Sequence, residues 1–262
     1  MLVAGSAASV PDEDHAAFWR EVTMASGHVR VFEADARLLD GVPERFSAVL
    51  AKRVLVPRIR LAPGPWTPVL PSGAHGEVLG LLVLGGLLER TAHVGKRSGP
   101  ELLGPGDLLR PWDLGPDSGA ACAWCVRQRA ELAVLDDRFT AVASRMPRLL
   151  VNLLGRTVHR SHGLAARLAI AQIRSAEERV LLVLQGIAER WGQMTPEGVR
   201  IPFALQHELI GRLACMRRPT ASTALTALQR SGRLVRCADH TWLLPDTAAV
   251  PAEASRAGLR AA

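Results

Sequence analysis

The chain has 262 residues, 48% of them hydrophobic, which is enough for one large domain or two smaller ones with proper cores. Its longest apolar run, residues 78–88, is too short to cross a bilayer, and its first residues lack the cationic and apolar regions of a signal peptide. Four cysteines offer no disulfide framework, so we expect a cytoplasmic protein that makes no membrane contact.

Charge is divided unevenly along the chain, whose net formal charge is +7. Residues 1–144 carry 15 basic and 17 acidic side chains, a net of −2, whereas residues 145–262 carry 17 and 8, a net of +9. A basic half beside a nearly neutral half indicates that the basic half meets a polyanion. The alternative is that this basic charge serves only to keep the protein soluble.

The first half of the chain predicts a short lead-in followed by a β domain. Residues 1–34 are polar and weakly periodic, which is typical of a flexible or loosely helical segment. Residues 34–54 predict two short helices around Gly41-Val42-Pro43. From about 54 to 136, short apolar runs alternate with Pro/Gly turns, as in an antiparallel β-barrel or sandwich. Glycines inside "LGLLVLGGLL" predict bends or bulges in one strand.

A helical pattern follows from residue 137. Apolar positions in the long stretch from residue 147 recur with a period close to 3.5, which predicts a seam for a partner helix and therefore a homodimer. A helix that lies on its own barrel is the alternative. Ser175, with Glu178 three residues on, predicts the start of the next helix. The predicted seam comprises Leu150, Leu154, Val158, Ser161, Leu164, Leu168 and Ala171.

The segment from residue 205 to 245 predicts two helices and a β-hairpin. A short connection, Cys215-Met216-Arg217, separates the helices, and a turn at Ala238-Asp239-His240 divides the two short strands. This order is that of a winged helix-turn-helix. The apolar stripes of the two helices are Ile210, Leu213 and Ala214, then Ala221, Ala224, Leu225 and Leu228.

The outward face of the second helix suits a DNA groove. Short side chains let the helix axis approach the bases, and an arginine at its start can reach a guanine bidentately. Its free N–H groups favour phosphate, and a proline in the first turn costs no hydrogen bond. A solvated arginine face is the alternative. We expect base contacts from Arg218 and Thr223, phosphate contacts from Arg217, Thr220 and Arg233, and further contacts from Pro219, Ser222 and Thr226.

These motifs resemble the Crp/Fnr family of bacterial transcription regulators, named for the cyclic-AMP receptor protein and the fumarate-nitrate regulator. "RRPTASTALTALQRSG" is similar to its recognition helix and "TPEGVRIPFALQHELI" to the strand and helix before it. "RLLDGVPERFSAVL", "LGLLVLGGLL" and "LLGPGDLL" are similar to its opening helices and barrel strands. The resemblance covers residues 37–245. Pro219 and Thr223 depart from it, since several members have glutamate and arginine there.

The resemblance implies an α+β fold in five segments. A flexible lead-in, 1–34, precedes a cyclic-nucleotide-binding-like β-roll, 35–140, and a long dimerisation helix, 141–173. A winged helix-turn-helix, 174–250, and a C-terminal tail, 251–262, follow. The implied partners are an inverted-repeat operator in double-stranded DNA and a second copy of the chain, with RNA polymerase as a further candidate.

The effector region departs from the family pattern. Cyclic-nucleotide binders of the family place a glutamate and an Arg-Ser pair after the "GD" motif. Here "GDLL" leads into Arg110-Pro111-Trp112-Asp113, and the Arg-Ser place falls near Ala120-Ala121. We therefore expect no control by cyclic AMP.

Other candidate sites are weaker. Cys122 and Cys125 form a single C-x-x-C, for which buried strand cysteines are the favoured interpretation, and His159 and His162 are taken as solvated. We expect no metal, no cofactor and no enzymatic activity. The prediction is a sequence-specific regulator. The alternatives are a regulator gated by a different small molecule in the β-roll and an architectural DNA-binding protein of low specificity.

Overall fold

A computed structural model describes residues 27–68, 78–113 and 121–246. The described residues fall into two compact units: those up to Ser98 together with Leu102–Val158, and Gly99–Glu101 together with those from His159 onward. Within these ranges no helix has the length and apolar character that a membrane span requires.

The first unit is built on an antiparallel sheet with strand order β1-β2-β7-β4-β5, in which β3 pairs with β7 and β6 with β4. This confirms the antiparallel β character predicted for residues 54–136. The strands are β1 His28–Arg30, β2 Leu55–Leu61, β3 Gly64–Trp66, β4 Gly80–Val94, β5 Arg97–Leu103, β6 Leu108–Leu109 and β7 Ala121–Leu135.

The two longest strands, β4 and β7, pair with shifts in register between Val83 and Leu88. Gly86 lies at this point with φ +83°, and a β-carbon on it would be 2.1 Å from the carbonyl oxygen of Arg129. Only glycine fits so close to the neighbouring backbone. The predicted glycine bulge is therefore confirmed.

Successive side chains of these strands point to opposite faces of the sheet, and each face packs in a separate hydrophobic cluster. Leu81 and Val83 face a cluster with Trp124, Val126 and other residues of the sheet interior. Leu82, between them, faces a second cluster, which the helices of this unit complete. These helices are α1 Val31–Ala34, a 3-10 turn Ala36–Leu39, α2 Glu44–Arg53 and α3 Asp137–Arg145.

The lead-in predicted for residues 1–34 is too long. Residues 28–34 form β1 and α1, and Val31 and Phe32 are fully buried, with the Phe32 ring 5.8 Å from that of Phe139. Phe32 and Phe139 are more than 100 residues apart in the sequence, so no local sequence pattern predicts their contact. Residues 1–26 lie outside the described ranges. The predicted helix pair around Gly41-Val42-Pro43 is present as the 3-10 turn and α2.

The long helix starts later than predicted. The sequence predicts a helix over 141–173, whereas α3 ends at Arg145 and α4 spans Pro147–Ile170. Pro147 excludes helical backbone at Met146, which has φ −131° and ψ 78°. Ala171 therefore lies in a turn one residue after the helix.

The second unit contains the remaining helices and a four-stranded antiparallel sheet of order β10-β11-β9-β8. Ser175 accepts a hydrogen bond from the Glu178 amide at 3.3 Å, which confirms the predicted cap. The elements are α5 Ala176–Trp191, β8 Gln193–Thr195, β9 Gly198–Ile201, α6 His207–Leu213, α7 Arg218–Arg230, β10 Val235–Arg236 and β11 Trp242–Pro245.

Candidate nucleic-acid interface

Helices α6 and α7 pack closely across a short turn. The predicted apolar stripes are buried on both helices: Ile210, Leu213 and Ala214 on one side, and Ala221, Ala224, Leu225 and Leu228 on the other. Gly211 lies at their closest approach, where an added β-carbon would be 3.1 Å from that of Ala221. The packing fixes α7 with its opposite face toward solvent.

The turn between these helices is tight. Cys215 has φ +53°, in the left-handed region that residues with side chains seldom adopt, and the Met216 amide donates to the carbonyl of Gly211 at 2.8 Å. Helix α7 then begins at Arg218 with Pro219 in its first turn, where a missing N–H costs nothing. The chain therefore turns within three residues, as the sequence predicts.

The exposed face of α7 carries most of the predicted DNA-contacting residues. The hydroxyls of Thr223 and Thr226 donate to carbonyls one turn earlier, at 3.2 and 2.9 Å, so their oxygens still have free acceptor capacity. The exposed members of the set are Arg217, Arg218, Pro219, Thr220, Thr223 and Thr226.

Two predicted residues are placed differently. Ser222 is half-buried, and its hydroxyl is 3.1 Å from Nδ1 of His207 rather than free in solvent. Arg233 is also half-buried and precedes β10, with its amide bonded to the Leu228 carbonyl at 3.0 Å. It therefore belongs to the connection after α7 and not to the hairpin itself.

The hairpin adds a cation that the sequence analysis missed. The guanidinium of Arg236 lies 4.8 Å from the ring centroid of Trp242, which is fully buried and donates from Nε1 to the Leu205 carbonyl at 2.9 Å. The His207 ring packs on the same indole, with centroids 5.8 Å apart. Trp242 therefore joins α6 and the hairpin. His207 and Trp242 are 35 residues apart in the sequence, so no local sequence pattern predicts their contact.

The hairpin turn is held by Asp239. Its carboxylate accepts from the hydroxyl and the amide of Thr241, at 2.6 and 3.2 Å, and pairs with Arg200 on β9. The Thr241 hydroxyl and amide, with a smaller contribution from Arg200, hold the pKa of Asp239 below its usual value. His240 completes the turn with φ +64°.

Helix α4 presents the predicted seam to solvent. Leu154 is 63% exposed and Leu168 72%, whereas Leu149 and Leu153 on the opposite side are buried in the core. Leu150, Val158 and Leu164 are also exposed. An apolar row left open along a helix is a surface that a partner would cover.

Polar side chains hold α4 on its other side. Asn152 donates to the carbonyls of Leu38 and Asp40, at 2.8 and 2.9 Å, and Arg156 forms a bidentate pair with Asp35. In the second unit Arg160 donates to the buried carboxylate of Glu101 at 2.6 and 3.2 Å. The helix is therefore fixed without use of its apolar seam.

Comparisons with known proteins rest on structure, because no sequence-family profile and no curated protein matches the chain. A cyclic nucleotide-binding domain containing protein from Listeria monocytogenes superposes with TM-score 0.58 and 15% identity, over 73% of this chain and 90% of its own. FixK2 from Bradyrhizobium japonicum superposes with TM-score 0.54 and 16% identity, over 73% of this chain and 93% of its own. A CooA mutant from Carboxydothermus hydrogenoformans superposes with TM-score 0.52 and 20% identity, over 80% of this chain and 90% of its own.

The chain shares the fold of these three solved structures. The resemblance of the sequence motifs to the Crp/Fnr family is thus confirmed at the level of the fold.

The structure describes part of the segment that follows the "GD" motif. Arg110 donates to the carbonyls of Val78 and Leu79, at 3.1 and 2.7 Å, and its guanidinium lies 5.3 Å from the ring centroid of Trp112. Ala121 opens β7, and Ala120, the other half of the expected Arg-Ser place, lies outside the described residues. Arg110 is therefore already bonded to backbone.

The secondary candidates remain minor. Cys122 and Cys125 lie in β7 and are half-buried rather than buried, and His159 and His162 are exposed on α4. Across the described ranges, no three His, Cys, Asp or Glu side chains are grouped as a metal site.

Proposed function

We propose that the chain is a sequence-specific DNA-binding transcription regulator of the Crp/Fnr type that acts as a homodimer and is not controlled by cyclic AMP. One observation carries the proposal. Helix α7 presents an exposed face of short side chains that begins with Arg217 and Arg218, while its other face packs on α6 across a tight turn. Such a helix fits a major groove, and its first residues meet base edges and phosphates.

The following hairpin supports a winged helix-turn-helix. Strands β10 and β11 form it directly after α7, and Arg236 lies on it. Phosphate contacts from Arg217, Thr220 and Arg233 would position the unit, while Arg218 and Thr223 would read bases. The +9 charge of residues 145–262 agrees with a polyanionic partner.

The seam of α4 supports a homodimer. Two copies paired through it along a two-fold axis would read an inverted repeat, with half-site centres about 34 Å or a multiple of it apart. Recruitment of RNA polymerase would be a further step for such a regulator.

The proposal that cyclic AMP does not control the chain is supported by a lack of hydrogen-bond donors for its phosphate. A buried cyclic phosphate needs a cation and hydrogen-bond donors. Ala121 has no side-chain donor, Pro111 has no N–H, and Arg110 already donates to Val78 and Leu79. The bare protein would bind its operator, or a less charged ligand would act in the β-roll.

Selection of bound sites from random duplex DNA tests the proposal. We expect an inverted repeat to be enriched, bound at least a thousandfold more tightly than random DNA, because specific regulators typically reach that ratio. Uniform affinity for all duplexes would support an architectural protein instead. Absence of binding at low salt would refute DNA binding.

A further inference from the structure

His207 lies where three elements of the second unit meet. Its Nδ1 is 3.1 Å from the hydroxyl of Ser222 on α7, and its ring packs against Trp242 on β11. These contacts fix the plane of the imidazole. The other ring nitrogen, Nε2, has no hydrogen-bond partner among the residues that the structure describes.

The Arg236 guanidinium lies 4.8 Å from the centroid of the same Trp242 ring, and two cations act electrostatically on the histidine. Arg218 acts on the ring from the start of α7, and Arg236 acts on it from β10. Neither guanidinium has a carboxylate partner within the described parts of the chain. The acidic neighbour on its own helix, Glu208, is exposed and is not among the charges that act on the ring. The positive charges of two guanidinium groups are therefore left without a carboxylate partner near the imidazole.

We propose that His207 and Arg236 together bind a phosphate of the DNA backbone, beside the base that Arg218 would read, and that His207 takes up a proton as it does so. The inference rests on the DNA-binding function proposed above and names a residue outside the set predicted from the sequence. A phosphate is the anion that fits, because it accepts several charge-assisted hydrogen bonds at once.

Without DNA the surroundings of the imidazole disfavour its protonated form. Partial burial, followed by the charges of Arg236 and then Arg218, lowers the pKa of His207 from its ordinary value of 6.5. A phosphate next to the ring would oppose the electrostatic part of this effect, because its negative charge offsets part of the guanidinium charge and attracts the imidazolium directly. Protonated Nε2 then becomes a donor to the phosphate.

Proton uptake by His207 makes the affinity for DNA depend on pH. Since the bound state holds more protons than the free state between the two pKa values, affinity for DNA rises as the pH falls through that window. The limit for one histidine is about a tenfold gain in affinity per pH unit. Below the lower pKa and above the higher one, the dependence on His207 vanishes.

Calorimetry of the full chain with a random-sequence duplex of about 30 base pairs measures this, since phosphate contacts do not need the operator. Titrations at one pH in buffers of different ionisation enthalpy give the number of protons taken up. We expect net proton uptake of at most about one proton per protomer, together with tighter binding at pH 6 than at pH 7.5.

Two variants test whether His207 is the group that takes up the proton. His207→Gln keeps a polar side chain but cannot titrate, so it should still bind DNA with the uptake reduced by the share of His207. His93→Gln, at the exposed end of β4, should leave the uptake unchanged. Nuclear magnetic resonance of the His207 ring should show its pKa rise when the duplex is added, which a structural role alone would not cause.

The outcomes separate the two proposals. DNA binding without proton uptake between pH 5.5 and 7.5, or uptake that persists in full in His207→Gln, overturns the role of His207 and leaves the regulator function intact. Failure of the wild-type chain to bind any duplex at low salt overturns both.

Discussion

Gly211 and Ala221 meet at the contact between α6 and α7, where a β-carbon on Gly211 would lie 3.1 Å from that of Ala221 and 3.2 Å from the carbonyl oxygen of Met216. The spacing of the two helices, and hence the projection of α7, depends on the absence of a side chain here.

Gly211→Val should therefore destabilise the second unit by about 1–3 kcal/mol, the usual cost of overpacking, and weaken DNA binding. Gly186→Ala on α5 is the control, because its new methyl would meet nothing within 4 Å. It should stabilise by up to about 1 kcal/mol through helix propensity. Urea unfolding measures both changes, and equal stability of Gly211→Val and wild type would refute the tight contact.

Arg218→Ala should cost about 1–3 kcal/mol of binding free energy at the selected operator and relax the preference at one position of each half-site. Arg230→Ala, which removes the same charge from the far end of α7, should have a much smaller effect. Quantitative binding to operator and random DNA separates these effects. An equal loss on both DNAs for Arg218→Ala would assign it to the phosphates.

Arg233→Ala should weaken binding to all sequences about equally and lower the salt slope by about one contact, because a phosphate contact carries no sequence information. Affinity measured from low to moderate salt gives this slope. A slope equal to that of the wild type would remove Arg233 from the interface.

Leu154→Asp should give monomers with much weaker operator binding, because a carboxylate would be buried in the paired seam. Val94→Asp, which places the same charge at another exposed apolar position, should leave assembly unchanged. Sedimentation velocity distinguishes monomer from dimer. A monomeric wild type at micromolar concentration, both free and on DNA, would contradict the seam.

Cyclic AMP and cyclic GMP should neither bind the chain at micromolar concentration nor change its affinity for DNA. The absence of donors on Ala121 and Pro111 and the engagement of Arg110 are the reasons. Calorimetric titration of each nucleotide, followed by DNA binding at saturating nucleotide, provides the measurement. Micromolar binding with a matching gain in DNA affinity would show that the phosphate finds other donors.

The hairpin turn should loosen in acid. Because the pKa of Asp239 is depressed in the folded chain, its contribution is complete above the ordinary aspartate value near 3.8 and is lost as the pH falls through the folded pKa. The amide resonance of Thr241, which donates to this carboxylate, should follow that titration. In Asp239→Asn the acid-dependent shift should disappear.

The sequence predicts best what is local and periodic. The buried stripes of α6 and α7, the Ser175 cap and the bulge at Gly86 each follow from a few adjacent residues. Contacts between distant segments could not be predicted. His207 meets Ser222 and Trp242 only after the hairpin folds back, and Phe32 reaches Phe139 across more than 100 residues. The break at Met146 is different, since the proline that causes it is visible in the sequence.

The turn that orients α7 also supplies a place to attach a probe. Cys215 is exposed, whereas Cys122, Cys125 and Cys237 are half-buried. A thiol-reactive fluorophore should therefore label Cys215 first, a few residues from Arg218 and in the natural sequence. Its emission would report the arrival of DNA in real time and give association and dissociation rates without any engineered tag.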